Sequence, residues 1–417
     1  MYHGRVAPPL PPLRQNLDLM PSPVRERPGL LMRDPFRYTE DTLIIPPALI
    51  PFLGLFDGAH DELDLAEALV RATGEIEVQG VVRHLVDTLG AGGFLANETL
   101  ERLREERQRA FTGASRREPV HAGTAYPAEP AALAATLGGY LAARTGTVAL
   151  ADLRGIAAPH VSPEGGWRSY GAAYGALGSD LANRTFVILG TSHYGEPGRF
   201  GLTRKPFATP LGECPSDQAL VERLEREGGP AVRFEDYCHA VEHSIEFQVV
   251  FLQQVFGREI RILPILCGPL LPRARPENDE GVRRFLDVLS ELAVREERRL
   301  FWVLGVDMAH MGRRYGDAFV ARADQGEMAA VAERDRERIS RLAGGDAEGF
   351  WDLVEAKGDD DLKWCGASPF YTFLRAAGPL RGELLRYEQW NIDPESVVTF
   401  AGMAFAAPGA ATPKGAS

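Results

Sequence analysis

Three histidines in this chain each follow a short apolar run. The runs read LRGIAAPH, ending at His160; TFVILGTSH, ending at His193; and LFWVLGVDMAH, which carries Asp307 and ends at His310. None has a helical period. Each is β-rich and stops at a small or polar residue before the imidazole, as a buried strand does. Open α/β sheets bind ligands just beyond the carboxyl ends of their strands, so these strands can deliver distant histidines to one edge. A further segment, DLKWCG at Asp361–Gly366, adds the thiol of Cys365. Imidazoles with a thiolate and a carboxylate make a borderline-soft donor set suited to Fe, Zn or Cu. The pattern points to a mononuclear metal site with open positions.

The elements that must hold these residues alternate strands and helices from His121 to about residue 406, which reads as an α/β sheet flanked by helices. The chain has 417 residues, 45% of them apolar, and a formal charge of −12. That supports two or three domains with a sizeable core. Without a basic block, the charge argues against nucleic acid or an anionic membrane as partner. No apolar run is long enough to span a bilayer, and the N-terminus lacks a signal-peptide core, so the expectation is a cytoplasmic protein. Cys214, Cys238, Cys267 and Cys365 show no CxxC pairing and read as thiols.

Residues 1–29 are rich in Pro and Arg and read as an extended, disordered arm. Residues 30–112 form a small unit, a short strand pair followed by three helices, which suggests a winged-helix-like module with no catalytic residue. Its charge is balanced, which speaks against a DNA stripe. Residues 113–120 read as a linker and 407–417 as a disordered tail.

From His121 the blocks HAGTAYPAEP, GIAAPHVSPEGG, FVILGTSHYG, FATPLGECPSD, VEHSIEFQ, ILPILCG, VLGVDMAHMGRRYGD and WCGASPFYTFL follow one another. In this order they resemble the Memo family, which supplies protein B of the AmmeMemoRadiSam system. The resemblance covers about residues 118–406. It implies a fold like the catalytic subunit of class III extradiol dioxygenases, which use non-haem Fe(II). The family's APHAG, G-(P/T)-(S/N)-H and CG motifs fall on His160, His193 and Cys365 and imply these as the metal ligands, with Cys365 third. Its serine-flanked Asp-x-x-His motif keeps Asp307 and His310 but has lost both serines. The resemblance also implies radical-SAM and Amme-type partner proteins. More loosely, the N-terminal RDP opening and LFDG turn resemble the PqqD type of peptide-binding domain.

In chemical terms, His310 is the candidate general acid/base, oriented by Asp307. His243 and Glu246, three apart at a helix start, are a candidate pair that steadies a ligand from behind. His239 reads as exposed. Two functions stay open: a non-haem metal enzyme, with Fe(II) or else Cu or Zn, performing a redox or dioxygenase-like step on a small or peptide-borne substrate; or a non-catalytic scaffold that binds partners or carries metal. A thiolate beside Fe and O2 is prone to oxidation, which suits a scaffold better. A zinc hydrolase is a distant third.

Overall fold

The structure is a computed structural model that describes residues 8–142, 152–271, 274–356 and 358–409. It divides into two compact units, Met1–Gly113 and Ala114–Ser417.

In the first unit, β1 (Asp18–Pro21), β2 (Leu30–Arg33) and β3 (Thr42–Ile45) form an antiparallel sheet in that order, one strand more than the expected pair. Helices α1 (Glu62–Thr73), α2 (Gln79–Ala91) and α3 (Glu98–Gly113) follow. Asp61 starts α1 by accepting from the amides of Leu63 and Asp64, and Gly74, at φ 75°, ends it. Met32, Ile45, Leu65, Leu69, Val82, Leu85 and Leu89 build the core. The expectation of a disordered arm is corrected for residues 8–29. Leu10 is buried in that core, and the Arg14 guanidinium pairs with Asp34 at 2.8 Å and reaches the Gly93 carbonyl at 3.0 Å. Composition marked the segment as solvated, but Leu10 and Arg14 both have buried partners. Residues 1–7 and 410–417, parts of the expected arm and tail, lie outside the described residues.

The second unit opens with α4 (Pro130–Ala142), β4 (Leu153–Ala158), α5 (Pro163–Tyr174), β5 (Thr185–Thr191), β6 (Phe200–Leu202), β7 (Phe207–Thr209) and β8 (Gly212–Cys214). It continues through α6 (Gln218–Glu227), β9 (Val232–Phe234), α7 (Cys238–Val241), α8 (Glu246–Phe256), β10 (Arg261–Cys267), α9 (Glu280–Arg295), β11 (Leu300–Gly305) and β12 (His310–Gly312). It closes with α10 (Glu327–Ala343), α11 (Ala347–Glu355), α12 (Ala367–Ala376), β13 (Arg381–Asp393) and β14 (Ser396–Ala406). The main sheet runs β12-β14-β4-β11-β5-β10-β6-β9, with β13 on β14. Its centre, β4-β11-β5-β10, is parallel, while β14 and β6 are antiparallel to their inner neighbours.

The parallel strands are buried on both faces, and their side chains alternate between two cores. Ile156, Phe186, Ile188, Phe301 and Val303 meet Leu133, Tyr170 and Phe251 of α4, α5 and α8. Ala157, Val187, Leu189, Leu263 and Leu304 meet Leu224, Phe285 and Phe373 of α6, α9 and α12. The expected linker also needs correcting, because the second unit begins at Ala114 and Arg117 is 1% exposed within it. Arg117 is drawn in because a buried carboxylate, Glu246, needs a cation. Among the described residues no helix is long and apolar enough to cross a membrane.

Candidate functional site

Strands β4, β11 and β5 are parallel and aligned so that Ala158 pairs with Gly305 and Gly305 with Gly190. Their carboxyl ends therefore leave the sheet level with one another, which brings His160, Asp307 and His193 to a common edge.

His160 is 2% exposed. Its Nδ1 faces the Gly305 carbonyl at 2.9 Å, an arrangement that puts a proton on Nδ1 and turns Nε2 toward the other side of the ring. Nε2 lies 3.3 Å from Cys365 Sγ and 3.4 Å from Asp307 Oδ2. The other Asp307 oxygen accepts from the backbone amides of His160, at 2.9 Å, and Val161, at 3.3 Å. Where the family pattern has Ala-Gly after its histidine, this chain starts a helix: Ser162 caps α5 by accepting from Gly165 N, and Pro163 occupies its first turn.

A third imidazole joins the first two. The potential ligand atoms of His160, His193 and His243 all lie within 4.8 Å of one another. The His193 and His243 rings are nearly parallel, at 8° and 5.1 Å between centroids, and His160 stands edge-on to both, at 4.9 and 5.2 Å. His243 arrives on the turn before α8, which lies against the ends of β5 and β11. Both strands carry glycine there. A Cβ on Gly305 would run into the Ser244 carbonyl, and one on Gly190 would lie 2.5 Å from Ser244 Oγ. Ser244 then donates to the Thr191 carbonyl at 2.7 Å, and Gln248 to the Pro159 carbonyl at 2.9 Å.

The buried carboxylate of Glu242 serves the His193 and His243 rings. It accepts from His193 N at 2.8 Å and His243 N at 2.9 Å, and its Oε1 lies 3.0 Å from Nδ1 of His193 and 3.1 Å from Nδ1 of His243.

Cys365 sits on a turn wrapped around Asp360, which accepts from Leu362 N and Trp364 N at 3.1 and 2.9 Å. Gly366 packs so closely on the β11 extension that its amide donates to the Asp307 carbonyl at 3.0 Å. Burial opposes ionisation of Cys365, but the His160 and His310 imidazoles outweigh it and bring the thiol down to about 5. Burial likewise opposes charge on His160, yet Asp307 and Cys365 hold it up at about 9. Thiol and imidazole titrate as a pair. His193 is raised in spite of its burial, with Glu242 the main cause, whereas burial holds His243 below the usual histidine value.

Three expectations are corrected by this geometry. His243 and Glu246 do not pair. Glu246 holds the Arg117 guanidinium, accepts from Tyr126 Oη and takes the His121 amide at 3.1 Å. The helical spacing rule fails because α8 begins only at Glu246, so His243 lies before the helix, in the segment that leads into it. Asp307 does not orient His310. Its carboxylate turns to His160, and His310 Nδ1 faces the carbonyls of Met308, at 2.9 Å, and Lys363, at 3.2 Å. The chain leaves β11 there to pair β12 with β14, which carries His310 away from Asp307. His239 is buried at 1% exposure, its Nε2 3.0 Å from the Gly201 carbonyl.

Sequence reasoning also missed Glu242 and Tyr315. Glu242 was visible only as the first letter of EHSIE. Tyr315 packs edge-on to His310, at 4.9 Å and 88°. It belongs with Trp390 and Ile392 to a small apolar patch over Val161, Val398 and Phe400, beside the histidines. His310 and Trp390 both register with Val398 across β12-β14-β13, so all three side chains share a sheet face.

Residues 117–404 match the profile of the family described as Memo-like protein. The chain belongs to that family. The Memo-like chain is 28% identical to a MEMO1 family protein of Aquifex aeolicus over 380 residues, covering 90% of this chain and 95% of the relative. That alignment is longer than the second unit and reaches into the first. A MEMO1 family protein of Methanopyrus kandleri is 28% identical over 304 residues, 69% of this chain and 98% of the relative. One of Thermococcus kodakarensis is 30% identical over 241 residues, 56% and 79%. A solved structure of an uncharacterised Escherichia coli K12 protein aligns with a TM-score of 0.39 and 12% identity over 60% of this chain and 99% of that one, too slight a likeness to carry an argument.

Proposed function

We propose that this Memo-like protein is a mononuclear transition-metal enzyme, with Fe(II) the working ion, performing a redox or dioxygenase-like step on a small or peptide-borne substrate. The observation that carries this reading is the convergence of three imidazoles whose Nδ1 atoms are all engaged by protein acceptors, which leaves every Nε2 to the centre of the site. That donor set fits an iron, copper or zinc ion. His160 and His193 would hold it, with His243 or Cys365 as the third donor. When bound, the ion supplies Lewis acidity and, for iron or copper, one-electron redox chemistry.

The rest falls to the protein's own groups. His310, tied at Nδ1 by two carbonyls, takes or gives a proton at Nε2. Asp307 holds the His160 backbone in place. The patch of Tyr315, Trp390 and Ile392 supports the apolar part of a substrate. The reading extends to an extradiol-dioxygenase-like fold, to cytoplasmic work with radical-SAM and Amme-type partners, and to a PqqD-like, peptide-recruiting first unit. The three strands and three helices of that unit are compatible with this role.

One observation favours the scaffold alternative: a low-pKa thiol stands 3.3 Å from the His160 ring, where repeated turnover with O2 would oxidise it. Metal analysis of anaerobically purified protein decides the first point. Wild type should carry about one iron per chain and His160→Ala none; equal metal in both rejects the site. Oxygen uptake decides the second. Iron-loaded wild type should consume O2 with a catechol or peptide substrate, and His310→Ala should keep the metal and lose the uptake. No uptake by either, with metal-dependent partner binding intact, establishes the scaffold.

A further inference from the structure

We infer that Glu242 is a positioning residue that sets two imidazoles at once, so that His193 and His243 present their Nε2 atoms before any ion arrives. The inference deepens the metal reading and rests on it for its functional meaning, but the geometry stands without a metal. Glu242 is 2% exposed. A carboxylate offers about four acceptor sites, and here the demands fill them: the backbone amides of His193 and His243, a longer approach by Ser244 N at 3.4 Å, and Nδ1 of both rings. A charged acceptor surrounded only by donors requires the proton on Nδ1 of each ring, which is the state that frees Nε2.

The same carboxylate ties the end of β5 to the turn before α8, so the separation of the two rings is set by one side chain. That turn rests on side-chain-free glycines at Gly190 and Gly305, and its other anchors, among them Ser244 Oγ to Thr191 and the Arg117 guanidinium to the Glu242 carbonyl at 2.8 Å, bind backbone and engage neither ring's Nδ1. Glutamine cannot replace the carboxylate. Its amide nitrogen would face at least one N–H donor, and one ring would have to turn away or move its proton.

The test uses the full chain, with cobalt(II) as the metal probe and proton–nitrogen NMR of the histidine rings. In metal-free wild type, slowly exchanging Nδ1–H signals of His193 and His243 should appear beside that of His160, assigned by the loss of one in His193→Ala and the other in His243→Ala. Glu242→Gln should lose at least one of them, keep its far-ultraviolet circular dichroism, and bind cobalt about 10- to 100-fold more weakly. Wild type without the two signals overturns the inference. So does Glu242→Gln with both signals and wild-type cobalt affinity, or with a lowered melting temperature as its only change. Should Glu242→Gln fail to fold, the wild-type ring signals decide alone. Wild type that shows both signals but binds no cobalt refutes the metal reading and leaves the positioning role standing.

Discussion

Glu242 and Glu246 stand four residues apart in EHSIE, and both are buried, at 2% and 0% exposure. Glu242 is met by imidazoles and amides and faces the centre of the site. Glu246 is met by a guanidinium, a phenol and an amide, and faces the packing behind it. Arg117 joins the two, because its other nitrogens reach the carbonyls of His239, at 2.8 Å, and of Glu242 itself. One acid organises chemistry and the other anchors the segment that carries it. The difference lies in their surroundings, since the residue type and burial are the same.

The most severe way to break the comparison is to remove the cation. A chain begun at Ala114 retains Arg117 and should fold; one begun at His121 lacks it and should be insoluble or molten, as judged by near-ultraviolet circular dichroism. Equal behaviour of the two would show that Arg117 is dispensable.

Next in size is Glu246→Gln, which strands a buried guanidinium and should cost about 3–5 kcal/mol in urea unfolding. The loss should shrink in acid. Burial opposes the Glu246 charge, but Arg117 outweighs it and holds the carboxyl below its ordinary value. The carboxylate's contribution is therefore complete above that ordinary value and disappears as the pH falls through the lower folded one. A pH-independent loss would contradict this.

A smaller and purely chemical effect is expected at Cys365. In metal-free protein its alkylation by iodoacetamide should rise through pH about 5 and then level off, since the thiolate is formed there. Cys267, pushed up to about 12 by burial, should stay unlabelled at neutral pH. A Cys365 profile that climbs only near pH 9 would mean that the imidazoles do not stabilise the thiolate. The mildest change is Tyr126→Phe, which removes one donor to Glu246 but leaves the charge pair and should cost about 1 kcal/mol. A loss as large as that of Glu246→Gln would make the phenol, not the guanidinium, the main partner.

The part of the site that was legible in the sequence follows from strand chemistry. Apolar runs of this kind must be buried strands, and histidines just past parallel strand ends meet at one edge, so His160 and His193 could be brought together without coordinates. Cys365 was reached through the family motif. The failures share a cause: each depended on where an element begins or turns. His243 and Glu246 looked like helical neighbours, but α8 starts three residues too late for that. Asp307 and His310 looked like a pair, but the turn between them serves β14, a strand formed some ninety residues later. The N-terminal arm looked solvated because composition cannot reveal a carboxylate such as Asp34 waiting for Arg14.

Gly190 and Gly305 give the site an unusual kind of handle. The turn that carries Glu242 and His243 is seated on two spots where the sheet has no side chain, so its height above the sheet is encoded by absent atoms. A single methyl at either position acts as a wedge: alanine at 305 must lift the Ser244 carbonyl, and alanine at 190 crowds the Ser244 hydroxyl and Ile245. Neither change removes a charge, a donor or an acceptor. Wedges of graded size at these two glycines therefore tune the spacing of the imidazoles as a mechanical variable, separately from the chemistry of the groups themselves.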